Sequence, residues 1–190
     1  MAITLKINNL EVTVPKGSTI LDAAEKIGVY IPTLCHDKRI APAGACRLCI
    51  VADRKRPDSF LPSCFTPVRD GMDIITTSPA IEEAIREQLK LILINHPLDC
   101  PVCDKAGECV LQELVIRYGV TGAPYALEAP FRPVDHDSPL IARDMNRCVL
   151  CGRCVRICAD LQGKGELEFI QRGYRTYIGT DVGLKLDCDF

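Results

Sequence analysis

Apolar and polar residues alternate over residues 2–7 (AITLKI) and again over 10–14 (LEVTV), the period-two pattern of two short strands. Asn8-Asn9 between them suits a tight hairpin turn, because asparagine tolerates positive φ. Gly17-Ser18-Thr19 breaks the alternation. Ser18 or Thr19 is placed to cap a helix over residues 20–27, which Gly28 ends. Within it Ile20, Leu21, Ala24 and Ile27 recur at helical spacing. A hairpin, a helix and then Val29-Tyr30-Ile31-Pro32 leading into Cys35 make the opening of a β-grasp fold. Residues 49–52 and 72–76 are predicted as third and fourth strands.

The period then changes. Ser78 is a plausible helix cap with Pro79 at the first helical position. Over residues 80–95, Ile81, Ala84, Ile85, Leu89, Ile92 and Leu93 form one apolar stripe. Pro97 stops it, which leaves His96 as the last residue before the break. A second short helix is predicted over 110–117, ended by Gly119. Residues 121–139 hold Pro124, Pro130, Pro133 and Pro139 without a clear period, and read as an extended surface connection. Residues 169–174 and 176–179 suggest a small hairpin. The expected organisation is α+β: a β-grasp domain over 1–78, a small helical domain over 79–120, a connection over 121–144 and an incomplete last domain over 145–190.

The cysteines change this picture most. Of the twelve, eleven fall into three groups: Cys35, Cys46, Cys49 and Cys64; Cys100, Cys103 and Cys109, with His96 just ahead; and Cys148, Cys151, Cys154 and Cys158. Cys188 stands alone near the end. A secreted disulfide scaffold does not fit, because the start alternates like a strand where a signal peptide would have a basic start and then an apolar stretch, and such scaffolds are usually much shorter. Structural zinc usually takes separated C-x₂-C pairs, whereas Cys148, Cys151 and Cys154 put three thiols in seven residues. Groups of soft ligands at such spacing are how proteins hold iron–sulfur clusters.

Composition removes other classes. The formal net charge is −2 with no long run of one sign, and there is no Trp, so neither a basic face nor a base-stacking platform for nucleic acid is expected. The longest apolar stretch, LKLILI at 89–94, is far too short to span a bilayer, so membrane association would come only through partner subunits. Gly163-Lys164-Gly165 lacks the third glycine and the preceding strand of a dinucleotide site. No FMN or NAD site and no catalytic residue is expected in this chain.

The first group, C-x₁₀-C-x₂-C-x₁₄-C on a β-grasp loop, reads as a [2Fe–2S] site with two cysteines on each iron. Gly44-Ala45 ahead of the close pair let backbone amides approach the sulfurs. The second group leaves a cubane one ligand short, and His96, Asp99, Asp104 and solvent all compete for that place. A neutral imidazole would leave the site one negative charge less than a thiolate, which raises its potential. The third group, C-x₂-C-x₂-C-x₃-C, matches the bacterial ferredoxin run, in which three cysteines hold one cubane and the fourth reaches to another. Ala159 stands where a proline usually follows.

The stretches YIPTLC, GACRLC, HPLDCPVCDKAGECVLQE and RCVLCGRCVR resemble the N-terminal iron–sulfur region of the large, 75 kDa-type peripheral-arm subunit of NADH:quinone oxidoreductase, respiratory complex I. Similar regions open NAD-linked formate dehydrogenases and [FeFe] hydrogenases. The resemblance implies a [2Fe–2S] cluster on Cys35, Cys46, Cys49 and Cys64. It implies a [4Fe–4S] cluster on His96, Cys100, Cys103 and Cys109. It implies a second [4Fe–4S] cluster on Cys148, Cys151 and Cys154, completed from beyond residue 190. Cys158 and Cys188 look like half the ligands of a third, incomplete one. The implied function is electron relay from a flavin/NADH-binding subunit, alongside other iron–sulfur subunits, toward quinone at the cytoplasmic side of a bacterial inner membrane. The chain then looks like a fragment or a separately encoded relay subunit. The rival expectations are the same module in a formate dehydrogenase or hydrogenase, and a zinc-stabilised interaction protein without redox work.

Overall fold

The hydrophobic alternation at the start folds as its period demands. In the computed structural model, which describes residues 2–124, 130–136, 138, 140–180 and 186, strands β1 (Ala2–Ile7) and β2 (Leu10–Pro15) pair antiparallel from Ala2↔Pro15 to Ile7↔Leu10. The turn between them holds Asn8 at φ 50° and Asn9 at φ 69°. Asn8 is also pinned by a distant residue: its Nδ2 donates to Thr76 Oγ1 at 2.7 Å, and its Oδ1 accepts from the Thr76 amide at 3.0 Å. Helix α1 (Ile20–Lys26) follows, with Thr19 rather than Ser18 as its cap, in a reciprocal capping box with Asp22.

Backbone contacts divide the chain into two compact units. The first comprises residues 1–36, 42–89 and 113–120. Its sheet adds β3 (Ile50–Asp53), β4 (Arg56–Pro62) and β5 (Asp73–Ile75), in the order β2-β1-β5-β3-β4. β5 runs parallel to β1 and the other pairs are antiparallel. Leu5, Ile7, Val12 and Val14 bury one face of the hairpin against Ile20, Leu21, Ala23 and Ala24 of α1, with Val51 and Ile74 in the same core. Mixed pairing with a helix across one face is the β-grasp arrangement expected.

β4 is the element the sequence does not announce. It carries Pro57, Asp58 and Pro62 and is largely exposed. It exists because it lies at the sheet edge, where proline is tolerated and β3 supplies its hydrogen bonds. Helix α2 (Pro79–Ile92) buries Ile81, Ile85 and Leu89, and Ser78 Oγ accepts from the Ile81 amide at 3.2 Å. It stops three residues before the expected end at 95. Helix α3 (Val110–Arg117) has the expected bounds. Within the first unit Arg86 of α2 donates to the Tyr118 carbonyl just past α3 at 3.2 Å.

The second unit comprises residues 37–41, 90–112 and 121–190. Among its described residues it has little regular structure: turns at Cys100–Val102 and Met145–Arg147, a short helix α4 (Arg153–Arg156) widening into a π-turn at Ile157–Leu161, and the hairpin of β6 (Glu168–Ile170) and β7 (Tyr177–Gly179). Gly152 opens α4 at φ 67°, and a Cβ there would meet Phe169 Cζ at 2.6 Å. Only glycine both takes that backbone conformation and leaves room for the ring. No described helix is long and apolar enough to cross a membrane.

Candidate metal centres

The β3–β4 hairpin sets the first centre. Cys49 precedes β3 and Cys64 follows β4, and the Ser63 amide donates to the Cys49 carbonyl at 2.8 Å. The two thiols are thereby held 3.3 Å apart, both free and buried. Cys35 comes from the loop after α1. Cys46 is turned toward it by Gly44 and Arg47, both in the left-handed region at φ 63° and 53°. Cys35 and Cys46 share a hydrogen bond in the same way. Cys35, Cys49 and Cys64 are each only 1% exposed.

Each pair is joined by a thiol–thiol hydrogen bond. The bond between Cys49 and Cys64 pulls the Cys49 thiol down to about 6 and, with burial, pushes Cys64 far up. The bond to Cys35, with burial, does the same to Cys46. Backbone amides pull both Cys46 and Cys49 down. Those of Leu48 and Cys35 reach the Cys46 sulfur and that of Cys64 reaches Cys49. Among the described residues no group of three or more His, Cys, Asp or Glu is arranged to hold a single metal ion. Two close thiol pairs suit a two-iron group, in which each iron needs two. Iron binding would displace the thiol protons and keep all four sulfurs ionised.

The second centre lies in the turns that follow α2. The His96 amide reaches back to the Leu93 carbonyl at 3.4 Å. His96 Nδ1 and Asn95 Oδ1 are buried without a hydrogen-bond partner. Burial holds the imidazole below its ordinary value, against the pull of Asp99, while Arg147 pushes the same way as burial. A neutral ring with an orphaned nitrogen is what a metal ligand requires. It lines a cleft of about 320 Å³ with Phe131, Met145 and Tyr174. Cys100 and Cys103 bracket the turn, with the Cys103 amide on the Cys100 carbonyl at 3.2 Å, and Cys109 leads into α3. Asp99, a rival ligand on sequence, is engaged by Arg147 at 2.8 Å.

The third group is gathered by the turn before α4. Leu150, at φ 52°, donates its amide to Cys148 Sγ at 3.4 Å. Arg153 Nε donates to Cys151 Sγ at 3.4 Å. Partial burial pushes the Cys148 thiol up, and local desolvation does so at the more exposed Cys154, with smaller upward contributions from neighbouring cysteines, including Cys158 on Cys154. Cys158 sits in the π-turn, its carbonyl accepting from Lys164 at 3.1 Å. Cys188 lies outside the described residues.

One local device recurs. Cys46, Cys103 and Cys148 each accept from the amide two residues on, that of Leu48, Lys105 and Leu150. Such bonds stabilise negative charge on sulfur. Sequence reasoning passes over the side chains that act on the sulfurs: Ser63, Arg147 and Arg153. The only signal is a polar or basic residue close to a cysteine.

Three family models match in succession: a 2Fe-2S iron-sulfur cluster binding domain over residues 1–79, the NADH-ubiquinone oxidoreductase-G iron-sulfur binding region over 86–124, and the ferredoxin-like domain of NADH-quinone oxidoreductase subunit 3 over 138–190. The chain is 40% identical over 188 residues to the NADPH-Fe(3+) oxidoreductase subunit alpha of Geobacter sulfurreducens, covering 99% of the chain and 22% of that protein. It is 39% identical over 189 residues to the mitochondrial NADH-ubiquinone oxidoreductase 78 kDa subunit of Neurospora crassa, covering 98% of the chain and 25% of the relative. Against the crystal structure of an NAD+-reducing [NiFe]-hydrogenase in the H2-reduced state the TM-score is 0.85 at 31% identity, over 94% of this chain and 75% of that one. The chain thus spans a quarter or less of the length of these two curated relatives.

Proposed function

The chain belongs to the family of the N-terminal iron–sulfur region of the large, 75 kDa-type subunit of NADH-quinone oxidoreductase, and on that footing we propose that it is the electron-relay module of such a complex. In this reading it takes electrons from a flavin/NADH-binding subunit and passes them, with other iron–sulfur subunits, toward quinone. It would do so at the cytoplasmic side of a bacterial inner membrane, attached through those partners.

The observation that carries the reading is the arrangement of three buried thiols and one half-buried one as two hydrogen-bonded pairs, Cys35/Cys46 and Cys49/Cys64. Bound iron–sulfur groups would supply one-electron carriers. The chain's own residues hold and tune them. Cys35, Cys46, Cys49 and Cys64 would take a [2Fe–2S] cluster. His96, Cys100, Cys103 and Cys109 would take a [4Fe–4S] cluster. Cys148, Cys151 and Cys154 would begin a second [4Fe–4S] cluster, and Cys158, with Cys188, part of a third. The amides on Cys46, Cys103 and Cys148, and Arg153 on Cys151, favour the more negative, reduced state.

A second reading has a specific observation behind it. The structural relative is an NAD+-reducing hydrogenase, of [NiFe] rather than [FeFe] type, and this chain covers three quarters of the matched chain. The same relay would then join a nicotinamide site to a hydrogen-activating subunit. Anaerobic expression with each candidate partner set, followed by NADH-driven reduction of the chain, separates the readings. Reduction with quinone-reductase subunits but not with hydrogenase subunits supports the first. The reverse supports the second. No reduction by NADH in either set refutes both.

A further inference from the structure

Arg147 stands immediately before Cys148, yet its side chain is spent on the neighbouring centre. Its Nη2 pairs with Asp99 Oδ2 at 2.8 Å and its Nη1 donates to the Val102 carbonyl at 3.1 Å. Its Nε faces Asp144 Oδ2 at 3.4 Å. The guanidinium also lies beside the sulfur of Cys103, the residue after Val102. All of these groups belong to the second unit.

The site is built to keep that side chain in place. Asp144 accepts from the Asn146 amide at 3.0 Å and so fixes the turn from which Arg147 projects. Asp99 precedes Cys100, and Val102 precedes Cys103. One planar fork therefore grips both ends of the Cys100–Val102 turn from a segment 45 residues away. A lysine carries the charge but presents no such fork.

We propose that Arg147 is a positioning residue for the centre of His96, Cys100, Cys103 and Cys109, donating a charge-assisted hydrogen bond to Cys103 that raises the reduction potential of that centre. This rests on the four-iron reading of those ligands. Reduction adds negative charge to the sulfurs, and a cationic N–H donor stabilises the reduced form more than the oxidised one. Asp99 and Asp144 offset the long-range field of the guanidinium, so the effect is local to the sulfur it touches and falls on one centre.

The test is a redox titration of the anaerobic full chain followed by paramagnetic resonance, comparing Arg147→Met and Arg147→Lys with the unaltered protein. The relevant signal is the one that His96→Ala perturbs. The [2Fe–2S] signal, from cysteines of the other unit, is the internal reference. In Arg147→Met the reduced-to-oxidised ratio of that centre at fixed potential should drop about tenfold, which is 59 mV for a one-electron carrier. Arg147→Lys should drop less. An unchanged potential in Arg147→Met overturns the proposal. If that variant fails to assemble the centre, Arg147→Lys decides: a lowered potential supports the proposal and an unchanged one overturns it. Loss of the centre in both variants with the reference intact also overturns it, since the side chain would then build the site rather than tune it. Absence of any four-iron signal in the unaltered chain is a different failure and removes the underlying reading.

Discussion

Cys49 Sγ and Cys64 Sγ lie 3.3 Å apart, both buried and joined by a thiol–thiol hydrogen bond. Nothing local brings them together; the β3–β4 hairpin does. The separation is too long for a disulfide, whose sulfurs sit about 2.05 Å apart, but short enough for one to form with a small shift. Cluster-stripped protein treated with a mild thiol oxidant should therefore give a Cys49–Cys64 disulfide before any other. Peptide mapping by mass spectrometry reads this out. Protein carrying its clusters should be protected, and equal oxidation of loaded and stripped protein would count against both sulfurs being ligands.

His96 carries a buried Nδ1 without a partner at the end of α2. Substituting His96→Ala should perturb one four-iron signal in the reduced protein and leave the [2Fe–2S] signal intact, because Cys35, Cys46, Cys49 and Cys64, the ligands proposed for the latter, lie in the first unit. His96→Cys should restore the cluster at a lower potential, since a thiolate adds a negative charge that an imidazole does not. Paramagnetic resonance with a redox titration measures both. An unchanged set of four-iron signals in His96→Ala removes the residue from the ligand set.

Ser63 is fully buried. Its hydroxyl pulls the Cys49 thiol down yet finds no well-formed hydrogen bond, so it approaches the sulfur rather than bonding it. Removing an unsatisfied buried hydroxyl does not destabilise a fold as removing a paired one does. Ser63→Ala should leave the unfolding midpoint of the cluster-free protein unchanged or raised. It should lower the [2Fe–2S] potential by less than the roughly 59 mV of a tenfold effect. A fall in stability with no change in potential contradicts the assignment.

At Gly152, the backbone conformation and the Phe169 ring both exclude a side chain. Gly152→Ala should cost about 1–3 kcal/mol from the backbone conformation alone. Its effect should fall on the Cys148, Cys151 and Cys154 centre, with iron content reduced there and the first centre's spectrum retained. Thermal unfolding and the visible spectrum check the two halves of this expectation.

The legible parts of the chain are the local ones. The β1–β2 hairpin follows from strict alternation and Asn8-Asn9, and α1 from a cap at Ser18 or Thr19, Gly28 and its apolar spacing, all within a few residues of each other. β4 is not legible, since Pro57, Asp58 and Pro62 are poor strand residues and only the edge position beside β3 admits them. The pattern overestimates α2 because apolar residues continue to Ile94, whereas Asn95 and Pro97 favour leaving the helix. The three cysteine groups are readable from spacing. Their division into Cys35/Cys46 and Cys49/Cys64 is not, because it depends on a hairpin closing across 15 residues. Arg147 escapes notice for the same reason: its partners lie 45 and 48 residues back.

The most direct measurement is the iron and acid-labile sulfide content of the chain purified without oxygen. Filling the two sites whose ligands all lie in the described residues should give at least about six irons and about six sulfides per chain, with a brown colour that bleaches on reduction. Zinc in place of iron, with no labile sulfide, would contradict the account at its base.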